Sequence, residues 1–376
     1  MPIEIESPEQ LGYGRIANNL AESSVADATL AEVADDLDLG SLVLQYGDHA
    51  GHPDLRAAIA ADAGGDPAAG RAAPLGAGDV LLAPGAAAAL FIVATSLLGR
   101  GDRVLVVRPN YATNLETPRA IGAVVDHLDL RFEDGWRVDP GRIEALLRPD
   151  TRLISLTSPH NPTGQVLGPA ELADIVGLVE RHGGARLLLD ETYRDMTYDP
   201  RLPSVAALSE RAIAVSSLSK TDGLPGIRLG WLATRDGDLQ ERFLAAKEQM
   251  LITGSVVDEA IGAAAFARRP ERLTRIRAGI DAALATTRAW IAAGDVFEWV
   301  EPRGGVVGFP RVRPGVPVDP DRFYRILFER YGTIVGPGHW FDQPRTHFRL
   351  GYGWPTPDRL AAGLAALDAA ARDVLA

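Results

Sequence analysis

Short apolar runs alternate with longer amphipathic ones over the middle of the chain, and this alternation carries most of the fold information. Apolar stretches at 80–83, 103–107, 124–128, 153–157, 186–189, 212–215 and 228–233 have the length and residue types of buried strands. Between them, 86–98, 114–121, 140–147 and 169–181 repeat their apolar positions at helical spacing, and a further helix is expected over 53–63. Strand and helix taking turns at this interval predict an α/β fold, a mostly parallel sheet wrapped by helices. From 238 to about 293 the pattern is long, alanine-rich and helical, with a break near Thr253-Gly254. Shorter units follow: strands near 297–301, 305–309, 333–335 and 347–350, and helices over 319–331 and 357–375. That change of texture predicts a large domain over 40–285 and a smaller α+β domain from 286–376 together with 1–39. The first forty residues carry little periodicity.

Composition narrows the function classes. The 376 residues are 46% hydrophobic and 23% charged, as expected of a soluble globular protein with a substantial core. A formal charge of −12 speaks against a general nucleic-acid or membrane-surface binder, because phosphate binding needs a basic field. There is no cysteine, which removes disulfides, thiolate chemistry and cysteine–metal sites. The N-terminal residues lack the basic start and apolar run of a signal peptide, so a cytoplasmic location is the expectation.

The chemistry concentrates where predicted strands end, which is where open α/β sheets place their ligands. Lys220 follows the run 212–215 and stands among Ser216, Ser217 and Ser219, a poor setting for packing and a good one for an amine that must lose its proton and attack a carbonyl. Arg228, eight residues on, offers a planar fork suited to phosphate. Pro84-Gly85-Ala86-Ala87 passes from strand to helix with small side chains, leaving free N–H groups for an anion or simply allowing close packing. Asp190 ends an apolar strand, either as a turn former or as a partner for a protonated ring nitrogen. Asn161 lies in a Pro/Gly-rich turn and could bond a phenolic oxygen together with Tyr193; Tyr111 could pack in the core or stack on a ring. His49, His160 and Asp48 are nearby candidates without an assigned role. A nicotinamide dehydrogenase would carry Gly-x-Gly-x-x-Gly after its first strand, which Pro84-Gly-Ala-Ala-Ala-Ala does not supply. A DNA-binding regulator would need an added basic domain.

Taken in order, Gly85-Ala-x-x-Ala-Leu90, Pro109-x-Tyr111, Ser158-Pro-His-Asn-Pro-Thr-Gly164, Asp190-Glu-x-Tyr193, Ser217-x-Ser-Lys-x-x-Gly-x-Pro-Gly-x-Arg-x-Gly230 and Phe348-Arg-Leu-Gly351 resemble the class I/II aminotransferase family of pyridoxal-phosphate enzymes, fold type I. The resemblance runs from about Leu44 to the C-terminus. It implies that Lys220 forms a Schiff base with pyridoxal 5′-phosphate and shuttles the Cα proton. It implies that Asp190 pairs with the pyridine nitrogen, Asn161 and Tyr193 with the phenolic oxygen, and Tyr111 with the ring face. The Ala86 and Ala87 backbone, Ser217, Ser219 and Arg228 would hold the phosphate. Ala87 stands where family members often have a hydroxyl or carboxylate, which shifts the anion onto backbone N–H groups and Arg228. Tyr46 would reach the phosphate of a second subunit, implying a homodimer with shared sites. Arg349 would clamp a substrate α-carboxylate. Glu22, in Leu20-Ala-Glu22, is similar to a substrate-side glutamate of the aminocyclopropane-carboxylate synthase branch, or is a solvated loop carboxylate. The implied reaction is transamination between amino acid and keto acid substrates; the alternative is lyase, cyclase or replacement chemistry of the aminocyclopropane-carboxylate-synthase or capreomycidine-synthase kind.

Overall fold

The computed structural model describes residues 7–64, 73–198 and 200–375. Thirteen strands follow in chain order. They are β1 (Asn18–Leu20), β2 (Val80–Ala83), β3 (Arg103–Arg108), β4 (Val124–Asp129), β5 (Thr151–Thr157), β6 (Arg186–Asp190), β7 (Ala212–Ser217), β8 (Gly230–Ala233), β9 (Phe297–Glu298), β10 (Val307–Gly308), β11 (Arg311–Val312), β12 (Thr333–Pro337) and β13 (Phe348–Gly351). Seven of these make one sheet in the order β2-β8-β7-β6-β5-β3-β4. The five strands from β4 to β7 run parallel, while β8 is antiparallel to both its neighbours. The apolar runs of β2, β6, β7 and β8 are buried on both faces, with helices covering each, as parallel sheets require.

Most expected elements are present within two residues of their expected ends. The difference that bears on the site concerns the expected strand 228–233. Ile227 closes a short 3-10 turn and Arg228 takes a left-handed conformation (φ 41°), so β8 starts only at Gly230. The backbone is thus turned just before the strand, and the guanidinium is aimed back toward the helix Gly85–Leu97 rather than out of a sheet face. The long helical stretch is three helices, Gly237–Met250, Val256–Ala267 and Arg269–Ala293, and the last runs unbroken past position 285.

A second sheet, β1-β12-β13-β10, joins residues from opposite ends of the chain. β1 pairs in parallel with β12 (Asn18 opposite Thr333), and β12 pairs antiparallel with β13. Its apolar face packs with Ile280, Leu284 and Ile291 of Arg269–Ala293 and with Leu360, Leu364 and Leu367 of the last helix, Pro357–Leu375. Strand β1 lay outside the sequence expectation because Asn18-Asn19-Leu20 is too short and polar to show a period; pairing partners, not pattern, make it a strand. Among the described residues, no helix is long and apolar enough to cross a membrane.

Candidate active site

Lys220 stands three residues beyond the end of β7, at the edge of a cavity lined by residues from seven separate stretches of the chain. The lining includes Ala86, Ala87, Tyr111, Asn161, Asp190, Tyr193, Ser217, Ser219, Lys220 and Arg228, all expected from the sequence. Ser23, Leu90, Thr157, Thr192 and Pro225 complete it and were not expected. The chain has two lysines. The other, Lys247, is fully buried in the helix Gly237–Met250, and its Nζ donates to the His49 carbonyl at 2.6 Å. Only Lys220 lines the cavity.

At one end the cavity presents an anion cradle. The helix Gly85–Leu97 begins with Gly85 at φ 79°, and Pro84 ahead of it offers no side-chain cap, so its first N–H groups lack the partner that most helices supply. The approach is very close: a Cβ on Gly85 would lie 2.5 Å from Arg228 Nη2, and one on Gly230 would lie 2.5 Å from the Gly85 carbonyl carbon. Both positions therefore need glycine. Arg228 Nη1 donates to Ser219 Oγ (3.3 Å) and to the Pro225 carbonyl (2.9 Å), which holds the guanidinium over the helix start. Uncapped N–H groups, helix dipole and guanidinium converge on one point, an arrangement that fits a phosphate.

At the sheet end, Asp190 is buried, and its Oδ1 accepts from the Thr192 hydroxyl (2.6 Å) and N–H (3.0 Å). Burial pushes this carboxyl up, while the Thr192 bonds and the Lys220 charge pull it down. Beside it across the β5–β6 pairing lies Thr157, whose buried Oγ1 has no hydrogen-bond partner among the described residues. A carboxylate with one oxygen satisfied, next to an unsatisfied hydroxyl, fits a ligand edge with a protonated ring nitrogen.

On the third side, Asn161 Oδ1 accepts from Arg349 Nη1 (3.2 Å), which orients the amide so that Nδ2 is the group left to donate toward the cavity. Arg349 Nη2 donates to the Ala21 carbonyl (2.6 Å), and the guanidinium lies over the Phe341 ring, 5.0 Å from its centre. Arg349 thus sits directly behind the lining, one residue deeper than Asn161. The Tyr193 hydroxyl donates to the Ser23 carbonyl (2.6 Å), so its proton is committed to the chain, and burial holds the phenol up at about 12. Lys220 Nζ donates to Ser23 Oγ (3.1 Å). Burial lowers the amine to about 8, helped by the Arg349 and Arg228 charges and opposed by Glu22 and Asp27. An amine near neutral pKa can act as nucleophile and base at physiological pH.

Other expected residues lie elsewhere. Tyr46 is 77% exposed and outside its own chain's cavity. Glu22 is partly buried beside the lining, where Asn19 Nδ2 reaches its Oε1 at 3.4 Å. His49 pairs with Glu248, and Asp48 caps the Ala50 N–H and approaches Arg56 at 3.8 Å; neither lines the cavity. His160 is buried against Thr163 Oγ1 (2.8 Å) and held down at about 4 by burial, so it is a neutral packing residue. Of the residues missed, Ser23 is the closest to the amine. The only sequence signal near it is the Leu20-Ala-Glu22 likeness that precedes it.

The sequence profile of the family described as "Aminotransferase class I and II" matches residues 16–367. Among curated proteins, a capreomycidine synthase of Streptomyces vinaceus is 32% identical over 88% of this chain and 82% of its own. An arginine–pyruvate transaminase of Pseudomonas aeruginosa is 36% identical, over 41% of this chain and 39% of its own. Among solved structures, a PLP-dependent aminotransferase from Streptococcus suis superposes with a TM-score of 0.89 at 26% identity, covering 100% of this chain and 98% of that one. The PLP-dependent cyclase OrfR superposes with a TM-score of 0.85 at 28% identity, covering 99% of both chains.

Proposed function

Because the chain belongs to the class I and II aminotransferase family, whose cofactor is pyridoxal 5′-phosphate, we propose that it binds an α-amino acid at the Lys220 cavity and breaks the Cα–H bond. The observation that carries this reading is the placement of one accessible amine, lowered to about 8, between a buried carboxylate and a phosphate-shaped helix start. Pyridoxal phosphate, when bound, supplies an aldehyde and a ring that takes up the electron pair left at Cα.

This chain's residues supply the rest. Arg228, Ser217, Ser219 and the N–H groups of Ala86 and Ala87 would hold the phosphate, with only a methyl group at 87. Asp190 would keep the ring nitrogen protonated, its ionised form favoured by the Thr192 bonds. Asn161 donates to the phenolic oxygen through Nδ2, and Tyr193 walls the same side. Tyr111, at the N-cap of the helix Ala112–Ile121, covers a ring face. Arg349 receives the substrate carboxylate next to Asn161. The Lys220 amine would take the Cα proton of the bound substrate.

The first outcome to consider is transamination, the reaction that gives the family its name; it is supported by likeness to the S. suis aminotransferase over the whole chain. A specific observation favours a second outcome, ring closure: a capreomycidine synthase is among the curated relatives aligned over most of both chains, and OrfR is a cyclase. Tyr46, exposed on one chain, would complete the phosphate site of a second copy in either case.

Borohydride reduction of the yellow holoenzyme is expected to fix the cofactor to Lys220, and label on Lys247 would overturn the site. A panel of amino acids mixed with enzyme and no keto acid then separates the outcomes. One-time conversion to the aminated cofactor supports transamination, whereas continued turnover supports cyclisation or elimination. Arg349→Ala is expected to raise KM for the amino acid at least ten-fold with a smaller effect on cofactor affinity; an unchanged KM removes Arg349 from the carboxylate role.

A further inference from the structure

Residues 21–28 leave β1 and cross the lysine loop as a strap tied to both sheets. On the β13 side, Arg349 holds the Ala21 carbonyl, and a Cβ on Gly351 would come within 1.8 Å of the Glu22 carbonyl oxygen. On the lysine side, the Val25 N–H donates to the Lys220 carbonyl (3.0 Å) and the Ala28 N–H to the Gly223 carbonyl (2.9 Å). A Cβ on Gly223 would lie 2.3 Å from the Ala26 carbonyl oxygen. Backbone meets backbone at both crossings, so the strap has little freedom to slide. Ser23 stands between these ties and is 5% exposed. Its two oxygens meet two site residues: Oγ accepts from Lys220 Nζ and the carbonyl accepts from the Tyr193 hydroxyl.

We propose that Ser23 is a positioning residue whose hydroxyl holds the Lys220 amine whenever that amine is not bonded to an aldehyde, aiming it for proton transfer at Cα. This rests on the role given to Lys220 above. A hydroxyl suits the task because it accepts from an ammonium and donates to a neutral amine, so the contact survives both states that the amine passes through as it carries a proton. An alkyl group there would leave a partly buried amine without its partner, and a carboxylate would trap it as the cation. The charged groups around Lys220 are Arg349 on β13, Arg228 ahead of β8, Asp190 at the end of β6, and Glu22 and Asp27 on the strap. They set the charge balance, and Ser23 supplies the neutral contact at hydrogen-bonding distance. Since the same residue accepts the hydrogen bond of the Tyr193 hydroxyl, amine and phenol are referenced to one point on the strap.

The test compares Ser23→Ala and Ser23→Thr with the parent as full chains. In cofactor-stripped protein, the pH dependence of Lys220 acetylation by acetic anhydride is read by peptide mass spectrometry, with Lys247 as internal control. Loss of one hydrogen bond to the charged form is expected to raise the Lys220 rate at neutral pH about 5–10-fold in Ser23→Ala, with the midpoint moved to lower pH. Ser23→Thr is expected to restore the parent profile. In the holoenzyme, Ser23→Ala is expected to lower kcat about ten-fold or more with KM within about two-fold, again rescued by threonine. An unmoved acetylation profile in Ser23→Ala, or equal losses in both variants accompanied by a lower Tm, overturns the proposal. Borohydride fixation on the same variants reports separately on the lysine. Label on Lys220 with an unmoved profile sinks the Ser23 role alone, while label on Lys247 sinks the lysine assignment as well.

Discussion

At the scale of single residues, Lys220 shows what burial costs and what it provides. Its amine is lowered to about 8 from the usual 10.5, chiefly by desolvation. Between these two values the unfolded chain holds more protons at this site than the folded one, so stability from this group rises as pH rises through that window and is lowest below pH 8. Lys220→Met, in cofactor-free protein, is therefore expected to raise stability at pH 7 by roughly 1–3 kcal/mol and to make little difference above pH 10.5. Chemical denaturation at the two pH values checks it, and an equal effect at both would contradict the lowered amine. Lys220, Asp190, Asn161 and Arg228 were legible because chemically awkward residues at strand ends need a reason. Ser23 was not, since a serine beside other serines and a valine is unremarkable until the lysine arrives from 197 residues away.

At the scale of elements, the junction of β2 with the helix Gly85–Leu97 and the turn before β8 form one device. The Gly230 approach is backbone to backbone, so no side-chain rotation can make room there, while Gly85 is fixed by its positive φ of 79° beside the Arg228 guanidinium. Gly230→Ala is expected to weaken cofactor binding at least ten-fold by moving the Gly85–Ala86 backbone, without abolishing the fold. Spectral titration of the stripped protein with pyridoxal phosphate measures this, and an unchanged dissociation constant would show that the cradle tolerates movement. Arg228 and the Ala86 and Ala87 backbone were expected at a phosphate from the sequence. That Arg228 needs a left-handed backbone to turn inward could not be read there, because an arginine beside an apolar run looks like the start of a strand.

At the scale of the whole molecule, a buried charge network ties the site to the long helix Arg269–Ala293. Arg269 Nε donates to Asp222 Oδ1 (3.0 Å), two residues past the lysine, and Nη2 donates to Asp195 Oδ2 (2.5 Å), two residues past Tyr193. Arg272 adds a bond to the Asp222 carbonyl (2.6 Å), and Asp62 reaches the same cluster at 3.3 Å. Arg269, together with Arg201 and Arg194, drives Asp195 down to about 2 against the pull of burial. Removing one partner leaves uncompensated buried charge, so Arg269→Met is expected to destabilise by about 3–5 kcal/mol. Thermal or denaturant unfolding tests it, and a loss under about 1 kcal/mol would mean water replaces the guanidinium. The alternation of strand and helix announced the large sheet, since each buried strand declares itself locally. The second sheet and this network depend on partners hundreds of positions apart, and no local pattern records them.

The link from Asn161 through Arg349 to Ala21 has a consequence for how the protein is made. Asn161 and Arg349 are 188 positions apart, and Arg349 and Ala21 are 328 apart. While the chain is still emerging from the ribosome, Lys220, Asp190 and the phosphate cradle are synthesised well before the guanidinium that holds the strap. The guanidinium proposed to receive a substrate carboxylate is made 129 positions after the Lys220 amine.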